Sequence, residues 1–161
     1  MRQNKGQKLK DTLGCPPPQE RRVTNRLLTY WRDLPKNGQL PHENAIDPEA
    51  LQDIWESCFL IHAYDIGKGS DYNYTFLGSN IMRAYGTDLT RNDAPPLASP
   101  SAEKLAVLYT QVLATRAPVI NEDQFVNAAG KEIRYRQCLL PFGSGDTVTS
   151  IFGGMRYKLF G

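Results

Sequence analysis

The sequence has few of the residues from which metal and disulfide sites are usually built. Its 161 residues include three cysteines, Cys15, Cys58 and Cys138, and two histidines. The cysteines are odd in number, far apart and form no Cys-x-x-Cys pair, so neither a disulfide framework nor a zinc site is predicted. Cys58 and Cys138 lie in strand-like apolar segments and are predicted to be small core residues.

Long apolar segments and an excess of one charge are also lacking. No run is long enough to span a bilayer, and the first residues lack the apolar core of a signal peptide, so we expect a soluble, cytoplasmic protein. The formal net charge is +2, which is too small to indicate a dedicated nucleic-acid binder. With 40% hydrophobic and 22% charged residues, the composition is that of an ordinary globular domain.

The first 20 residues differ from the rest because they are polar and basic and end in consecutive prolines. Such a segment has little apolar area to bury, so residues 1–20 are predicted to form a flexible basic tail whose role stays open. Residues 21–161 are long enough for a single domain with its own core.

Two helices are predicted before the first strand, over 21–34 and 48–56. In the first, apolar residues recur at spacings of three and four, as on the buried face of an amphipathic helix. These residues are Val23, Leu27, Tyr30, Trp31 and Leu34. The second is predicted from Asp47-Pro48-Glu49, because an N-cap carboxylate followed by proline is typical of a helix start. The two helices are predicted to pack either on the sheet of this domain or on a second copy of it.

The remaining elements follow in the order β-β-α-α-β-β-β. Strands are predicted over 57–65, 72–77, 119–127, 132–140 and 147–158, and helices over 80–85 and 101–116. Over 72–77, Tyr72, Tyr74 and Phe76 alternate with smaller residues and are predicted to share one face. Glycines suit hairpin loops at 127–130 and 143–146. Two hairpins imply a largely antiparallel five-stranded sheet with helices on one face, an α+β fold.

This order and several short motifs resemble the PAS domain, in particular the stand-alone proteobacterial PAS family. The motifs are Leu28, Tyr30-Trp31-Arg32, Ile46-Asp47-Pro48, Leu77-Gly78-Ser79, Ile81, Tyr85-Gly86, Asp88-Leu89-Thr90, Arg116-Ala117-Pro118-Val119 and Leu140-Pro141-Phe142. The resemblance covers roughly residues 22–158. Arg91 departs from it, since a glycine is usual after the threonine.

The resemblance implies a non-catalytic sensory or interaction domain with strand order 2-1-5-4-3 and a small ligand between sheet and helices. Domains of this kind often dimerise through an N-terminal helix, and the helix over 21–34 has more apolar area than one covering helix needs. We therefore expect a homodimer through Val23, Leu27, Tyr30, Trp31 and Leu34. We expect no attached output domain in these 161 residues, so signalling is expected to pass through a separate partner protein.

Alternation and helical spacing predict which residues would face such a ligand pocket. They are Phe76, Ile81, Tyr85, Leu105, Leu108, Tyr109, Cys138 and Leu140, with Arg136 at the mouth. This lining suits a small apolar or weakly acidic ligand, and the alternative is that the side chains fill the space as a core. Arg134 and Arg136 share a strand face with Glu132. An inward face would need an anionic partner, whereas an outward face would be solvated.

Neither haem nor flavin is expected as a cofactor. Haem usually needs an axial histidine, but His42 is predicted in a loop and His62 in a strand as a structural residue. A photoreactive flavin of a PAS-like domain would need a cysteine on the helix after the second strand, and the residues from Asn80 to Ala84 include none.

The alternative function is a small cone-shaped α+β enzyme of the isomerase or dehydratase type. It would need an acid or a histidine on an inward strand position, and His62 is the candidate. The acids Asp65, Asp71, Asp88 and Asp93 are predicted at turns, where carboxylates usually cap the backbone.

Overall fold

The computed structural model describes residues 18–63, 74–86 and 101–160, with side chains from residue 22 in the first range and from residue 105 in the last. The helices and strands are α1 (Pro18–Asp33), β1 (Cys58–His62), β2 (Tyr74–Leu77), α2 (Ser79–Tyr85), α3 (Ser101–Thr115), β3 (Val119–Val126), β4 (Glu132–Ser144) and β5 (Thr147–Phe160). Of the predicted tail, residues 18–20 begin α1, and residues 1–17 lie outside the described residues. None of the described helices has the length and hydrophobicity that crossing a membrane requires.

The five strands form one antiparallel sheet in the order β2-β1-β5-β4-β3. This confirms the predicted fold class and strand order. The β4–β5 hairpin is the longest pairing and runs from Glu132 opposite Phe160 to Ser144 opposite Thr147. Gly130 and Gly145 supply the positive φ angles of the two hairpin turns, at 80° and 59°, as glycine does at little steric cost.

Helices cover the sheet on both faces. The inner face, which includes Phe59, Ile61, Leu139 and Ile151, packs against α2 and α3. The outer face, which includes Cys58, Cys138, Leu140 and Phe152, packs against α1 and the segment that follows it. Cys58 and Cys138 are buried there, and burial raises the pKa of each thiol to about 12.

The close contact between α1 and the outer face depends on Gly154. A Cβ atom at this position would lie 2.5 Å from Leu27 Cδ1 and 2.7 Å from Val23 Cγ1, so a larger residue would push the helix away. Val23 and Leu27 are buried, and Tyr30, Trp31 and Leu34 are partly buried beside them. The predicted dimer surface therefore packs on the chain's own sheet. A dimer stays a prediction, and Val23 and Leu27 do not offer a free surface for it.

Polar contacts hold the C-terminal half of α1 in place. Trp31 Nε1 donates to the Pro141 carbonyl at 2.8 Å, and the Tyr30 hydroxyl donates to the Ala45 carbonyl. Lys36 Nζ donates to the carbonyls of Arg32 and Leu34 and lies 4.4 Å from the centre of the Trp31 ring. The Lys36 bonds satisfy carbonyl groups that the end of the helix would otherwise leave unpaired.

The segment 48–56 begins as predicted but does not form an α-helix. Asp47 Oδ1 accepts from the Glu49 amide at 3.0 Å, as an N-cap does. One backbone bond joins residues four apart, from the Leu51 amide to the Asp47 carbonyl, but the next bonds join residues three apart, from Gln52 to Glu49 and from Ile54 to Leu51, so the segment continues as turns. It ends in a 3-10 helix, Trp55–Ser57, and another 3-10 helix spans Glu43–Ala45. The Ala50 carbonyl, which would accept from the Ile54 amide in an α-helix, accepts from Arg26 Nη2 at 2.9 Å instead, so a contact with α1 replaces a helical bond.

Asp53 joins this segment to α1 through two arginines. Its carboxylate accepts from Arg26 Nε and Nη2, each at 2.9 Å, and from Arg22 Nη2 at 3.1 Å. The Arg26 hydrogen bonds are the main reason that the pKa of Asp53 is held well below its usual range.

We expect Asp53→Asn to lower the stability at pH 7 by about 1 kcal/mol, since a partly exposed pair contributes little more. Because the pKa of Asp53 is lower in the folded than in the unfolded chain, the stabilisation is complete above about pH 4 and is lost as the pH falls through the folded-state pKa. Thermal midpoints measured from neutral to strongly acidic pH should therefore converge for the two proteins. Asp146→Asn, in the exposed β4–β5 turn, is the control, and a gap as large at acid pH as at pH 7 would contradict the ion-pair account.

Candidate functional site

Three buried tyrosines from three different elements meet on the inner side of the sheet. We call Tyr74 of β2, Tyr85 of α2 and Tyr109 of α3 the tyrosine cluster. The hydroxyl oxygens of Tyr74 and Tyr109 lie 3.2 Å apart and share a hydrogen bond. The ring centres of Tyr74 and Tyr85 are 6.5 Å apart. The cluster therefore places polar atoms within an otherwise apolar core.

A bulge in β2 turns Tyr74 inward. Leu60 is paired with Phe76 and Ile61 with Tyr74, so Thr75 is an extra residue in the β2 strand. One extra residue reverses the alternation of side chains. Tyr74 consequently packs in the inner core, whereas Phe76 stacks on Trp55 of the outer side with ring centres 4.6 Å apart.

The end of α2 fixes the position of Tyr85. Gly86 adopts a left-handed conformation, with φ 79°, and its amide donates to the Met82 carbonyl, as predicted for a helix-ending glycine. The Ala128 amide donates to the Tyr85 carbonyl at 3.1 Å, and Asn127 Nδ2 donates to the Ala84 carbonyl at 3.1 Å. The β3–β4 loop therefore caps this helix and ties the cluster to the hairpin.

Further aromatic rings extend the cluster along the sheet. Phe59 meets Tyr74 edge to face at 5.6 Å between ring centres. Tyr85 lies 5.1 Å from Phe125, which in turn lies 5.7 Å from Tyr135. Such pairs stabilise beyond the area that they bury, so the aromatic side chains hold the three hydroxyls in a defined place.

Burial keeps the phenols of Tyr85 and Tyr135 in their neutral form. It raises the pKa of Tyr85 well above the ordinary value, and the interactions with Tyr74 raise it further. Burial likewise raises the pKa of Tyr135 to about 12. A neutral phenol can both donate and accept a hydrogen bond, so the site suits a polar group of a small molecule and has no charge of its own.

A family model described as PAS domain matches residues 19–156. The chain belongs to the PAS domain family. PAS domains are generally non-enzymatic sensor and signalling modules, and the strand order of this chain agrees with that family. A comparison with curated proteins finds no match.

Several solved structures are similar to this PAS domain. The Rhodobacter sphaeroides LOV protein matches at 9% identity and a TM-score of 0.46 over 62% of this chain and 57% of that chain, less than two thirds of its length. The PAS domain of the fruit-fly ELK potassium channel matches at 11% identity and a TM-score of 0.44, over 63% of this chain and 85% of that chain. The PAS domain of an HTR-like protein from Haloarcula marismortui matches at 11% identity and a TM-score of 0.44, over 97% of this chain and 99% of that chain.

The structure brings some of the predicted pocket residues of the PAS domain together and separates others. Ile81, Tyr85, Leu105, Leu108 and Tyr109 share the inner core. Phe76, Cys138 and Leu140 pack on the outer side, and Arg136, two residues from Cys138, shares that face. The nine residues therefore do not form one site, and ligand binding stays a prediction.

Sequence reasoning left Tyr74 and Tyr135 out of the pocket set. Tyr135 lies two residues from Ile133 and four from Leu139 on β4, and all three contact the inner core. Strand alternation starting from Ile133 therefore predicts that Tyr135 faces the core. Tyr74 could not be placed from alternation because the bulge at Thr75 is not visible in the sequence.

The histidines do not occupy the inward position that an enzyme site of the alternative kind would need. His62 is paired with Ser150 across β1 and β5, on the outer face, where the Ser150 hydroxyl donates to Glu43. His42 Nδ1 accepts from the Asn44 amide at 3.0 Å. Within the described ranges, no group of three or more His, Cys, Asp or Glu side chains could hold a metal ion. Asp65, Asp71, Asp88, Asp93 and Tyr72 lie outside the described residues.

Proposed function

We propose that this PAS domain is a non-catalytic sensor that binds a small, mostly apolar ligand beside the tyrosine cluster. The ligand would carry one hydrogen-bonding or weakly acidic group. The observation that carries the proposal is the contact between the buried Tyr74 and Tyr109 hydroxyls. In this proposal the domain acts in the cytoplasm without haem or flavin, forms a homodimer and signals to a separate partner protein.

Buried hydroxyl groups are costly, and a core needs none of them for packing. Moving a hydroxyl out of water without a hydrogen bond costs roughly 1–3 kcal/mol in proteins, and phenylalanine would fill nearly the same volume. The Tyr74–Tyr109 oxygen distance of 3.2 Å also exceeds the 2.7–2.8 Å that is typical of hydroxyl pairs. In this proposal an acceptor of the ligand takes over one hydrogen bond of this pair.

A screen of small apolar acids and phenols by thermal shift tests the proposal. We expect Tyr109→Phe and Tyr74→Phe to lower the midpoint of the free protein by about 2–4 °C, the effect of about 1 kcal/mol. At a ligand concentration near its Kd, the ligand-induced rise should fall by more than half in both variants, because the loss of one hydrogen bond weakens affinity about fivefold.

The matched control is Tyr30→Phe. It removes a hydroxyl that donates to a backbone carbonyl on the outer side, so it should cost similar stability and leave the ligand-induced rise unchanged. If no compound raises the midpoint, or if Tyr30→Phe reduces the rise as much as the cluster variants do, the tyrosines are only core residues. The domain would then act through its surface alone.

A further inference from the structure

Two neighbouring cross-strand pairs on the outer face join residues of the same charge. Arg136 of β4 lies opposite Arg156 of β5, and Arg134 lies opposite Lys158. Cross-strand partners point to the same side of a sheet, and so do residues two apart on one strand. We call these four residues the basic patch. Its first pair lies two residues along each strand from Cys138 and Gly154 and on the same face. At Gly154, α1 contacts the sheet.

Like charges directly opposite each other destabilise a sheet, and the acids nearby offset this only in part. Arg134 Nε lies 2.9 Å from Glu132 Oε2, and Arg136 Nε lies 3.5 Å from Glu122 Oε1. The Glu122 side chain is 69% exposed, so its ion pair contributes little. These two carboxylates contact the arginines of β4, while Arg156 lines a cavity together with Arg22, Asp53 and Glu56.

Arg136 also has an unused donor. Its Nε is shielded from solvent, and within the described residues it makes no hydrogen bond, since the contact with Glu122 is not one. An unsatisfied donor on a charged group is unfavourable. A second arginine, Arg156, lies opposite it and adds to the positive charge at this point of the sheet.

The surroundings of the basic patch suit a protein more than a nucleic acid. Ile120 and Val126 of β3 and Phe160 of β5 are exposed and lie on the same face by their pairing with β4. The Arg134 guanidinium lies 4.1 Å from the centre of the Phe160 ring. A cationic centre beside exposed apolar side chains resembles a protein-binding surface, whereas nucleic-acid binding rests on many phosphate contacts.

We propose that the basic patch docks an extended acidic segment of a partner protein. Carboxylates already contact two of its arginines within the chain. Side chains on the same face of a strand recur about every 7 Å. Acids at alternate positions of an extended segment therefore match the spacing of the two basic pairs. Apolar residues on either side of the acids, at positions of the same parity, would contact Ile120 and Phe160, which flank the basic patch on this face. This inference goes beyond ligand sensing and holds even if the core binds no ligand.

A defined probe tests the docking site on the full chain. A synthetic peptide of sequence Leu-Thr-Glu-Thr-Glu-Thr-Leu, whose leucines and glutamates share one side when it is extended, is titrated into isotope-labelled protein and followed by backbone amide shifts. We expect the shifts to lie on β4 and β5 around the basic patch and the affinity to fall with added salt. Arg156→Gln should weaken binding by about three- to tenfold, whereas Arg116→Gln, which removes an equal charge at the end of α3, should not.

Stability without the probe gives an independent measurement. Arg156→Gln removes a repulsion, so its thermal midpoint should rise by about 1–3 °C. A fall would mean that the fold itself needs Arg156, and would overturn the proposal. Equal binding of the peptide by the Arg156→Gln and Arg116→Gln variants would also overturn the proposal. The same holds if a peptide with lysines in place of the glutamates binds equally well, or if a single-stranded oligonucleotide binds more tightly than the peptide. Shifts on the patch that grow with protein concentration alone would identify a second copy as its occupant instead.

Discussion

Leu27→Ala is expected to lower the free energy of unfolding by about 2–5 kcal/mol, the range for leucine truncations in a close-packed core. Leu27 is 0% exposed and lies against Gly154, where the backbone of β5 comes closest to α1. The cavity left by alanine cannot collapse readily, because the approach of the helix is already limited by the sheet. Urea unfolding followed by circular dichroism measures the change.

Val107→Ala on α3 is the control for this truncation. Val107 is 69% exposed, so its loss should change the unfolding free energy by less than about 0.5 kcal/mol. The comparison also tests the dimer expectation. If Leu27→Ala left the unfolding of the chain unchanged and instead dissociated a dimer, α1 would contact a partner copy rather than its own sheet.

Gly78→Ala is expected to cost about 3 kcal/mol or more, at the upper end of overpacking effects. A Cβ atom at Gly78 would lie 2.3 Å from the Glu56 carbonyl oxygen and 2.9 Å from the Cys58 carbonyl oxygen. Both atoms are backbone and cannot swing away. With φ −64°, the conformation itself is ordinary for alanine, so the whole cost is steric. The Gly78 amide also donates to the Cys58 carbonyl at 2.8 Å, which fixes the close contact between β1 and the start of α2.

Gly130→Ala provides the opposite case. A Cβ atom there would have no neighbour within 4 Å, but φ is +80°, and a left-handed conformation costs an alanine about 1–2 kcal/mol. Thermal or urea unfolding of both variants should therefore show the larger loss at Gly78. An equal or smaller loss at Gly78 would mean that β1 and α2 can separate, and the close contact would not be a fixed feature of the fold.

Local signals in the sequence were sufficient for most elements of the sheet and helices. Gly86 ends α2, and Gly130 and Gly145 form the hairpin turns. Each of these positions needs a positive φ angle, and the glycine that supplies it is visible in the local sequence. Asp47 caps its turn as predicted. The strand order came from the family resemblance, and the sheet confirms it.

The assignment of side chains to faces could not be predicted in the same way. Cys138, Leu139 and Leu140 are all buried because both faces of the sheet are covered, so alternation of polar and apolar residues disappears in this part of β4. The bulge at Thr75 moves Phe76 to the outer side. The burial of Val23 and Leu27 depends on Gly154, more than a hundred residues away, and no local pattern indicates that contact.

The two tryptophans of the chain, Trp31 and Trp55, both lie on the outer side, across the sheet from the tyrosine cluster. Light of a long wavelength excites only the indoles, and their emission will therefore respond to the docking of α1. Light of a shorter wavelength also excites the tyrosines, so a change in the inner core first alters the energy that they transfer to the indoles. The two excitation wavelengths thus give separate optical signals from the two faces of one sheet, without any added label. A ligand that changes only the transferred component acts within the core. One that also shifts the indole emission maximum has changed the position of α1.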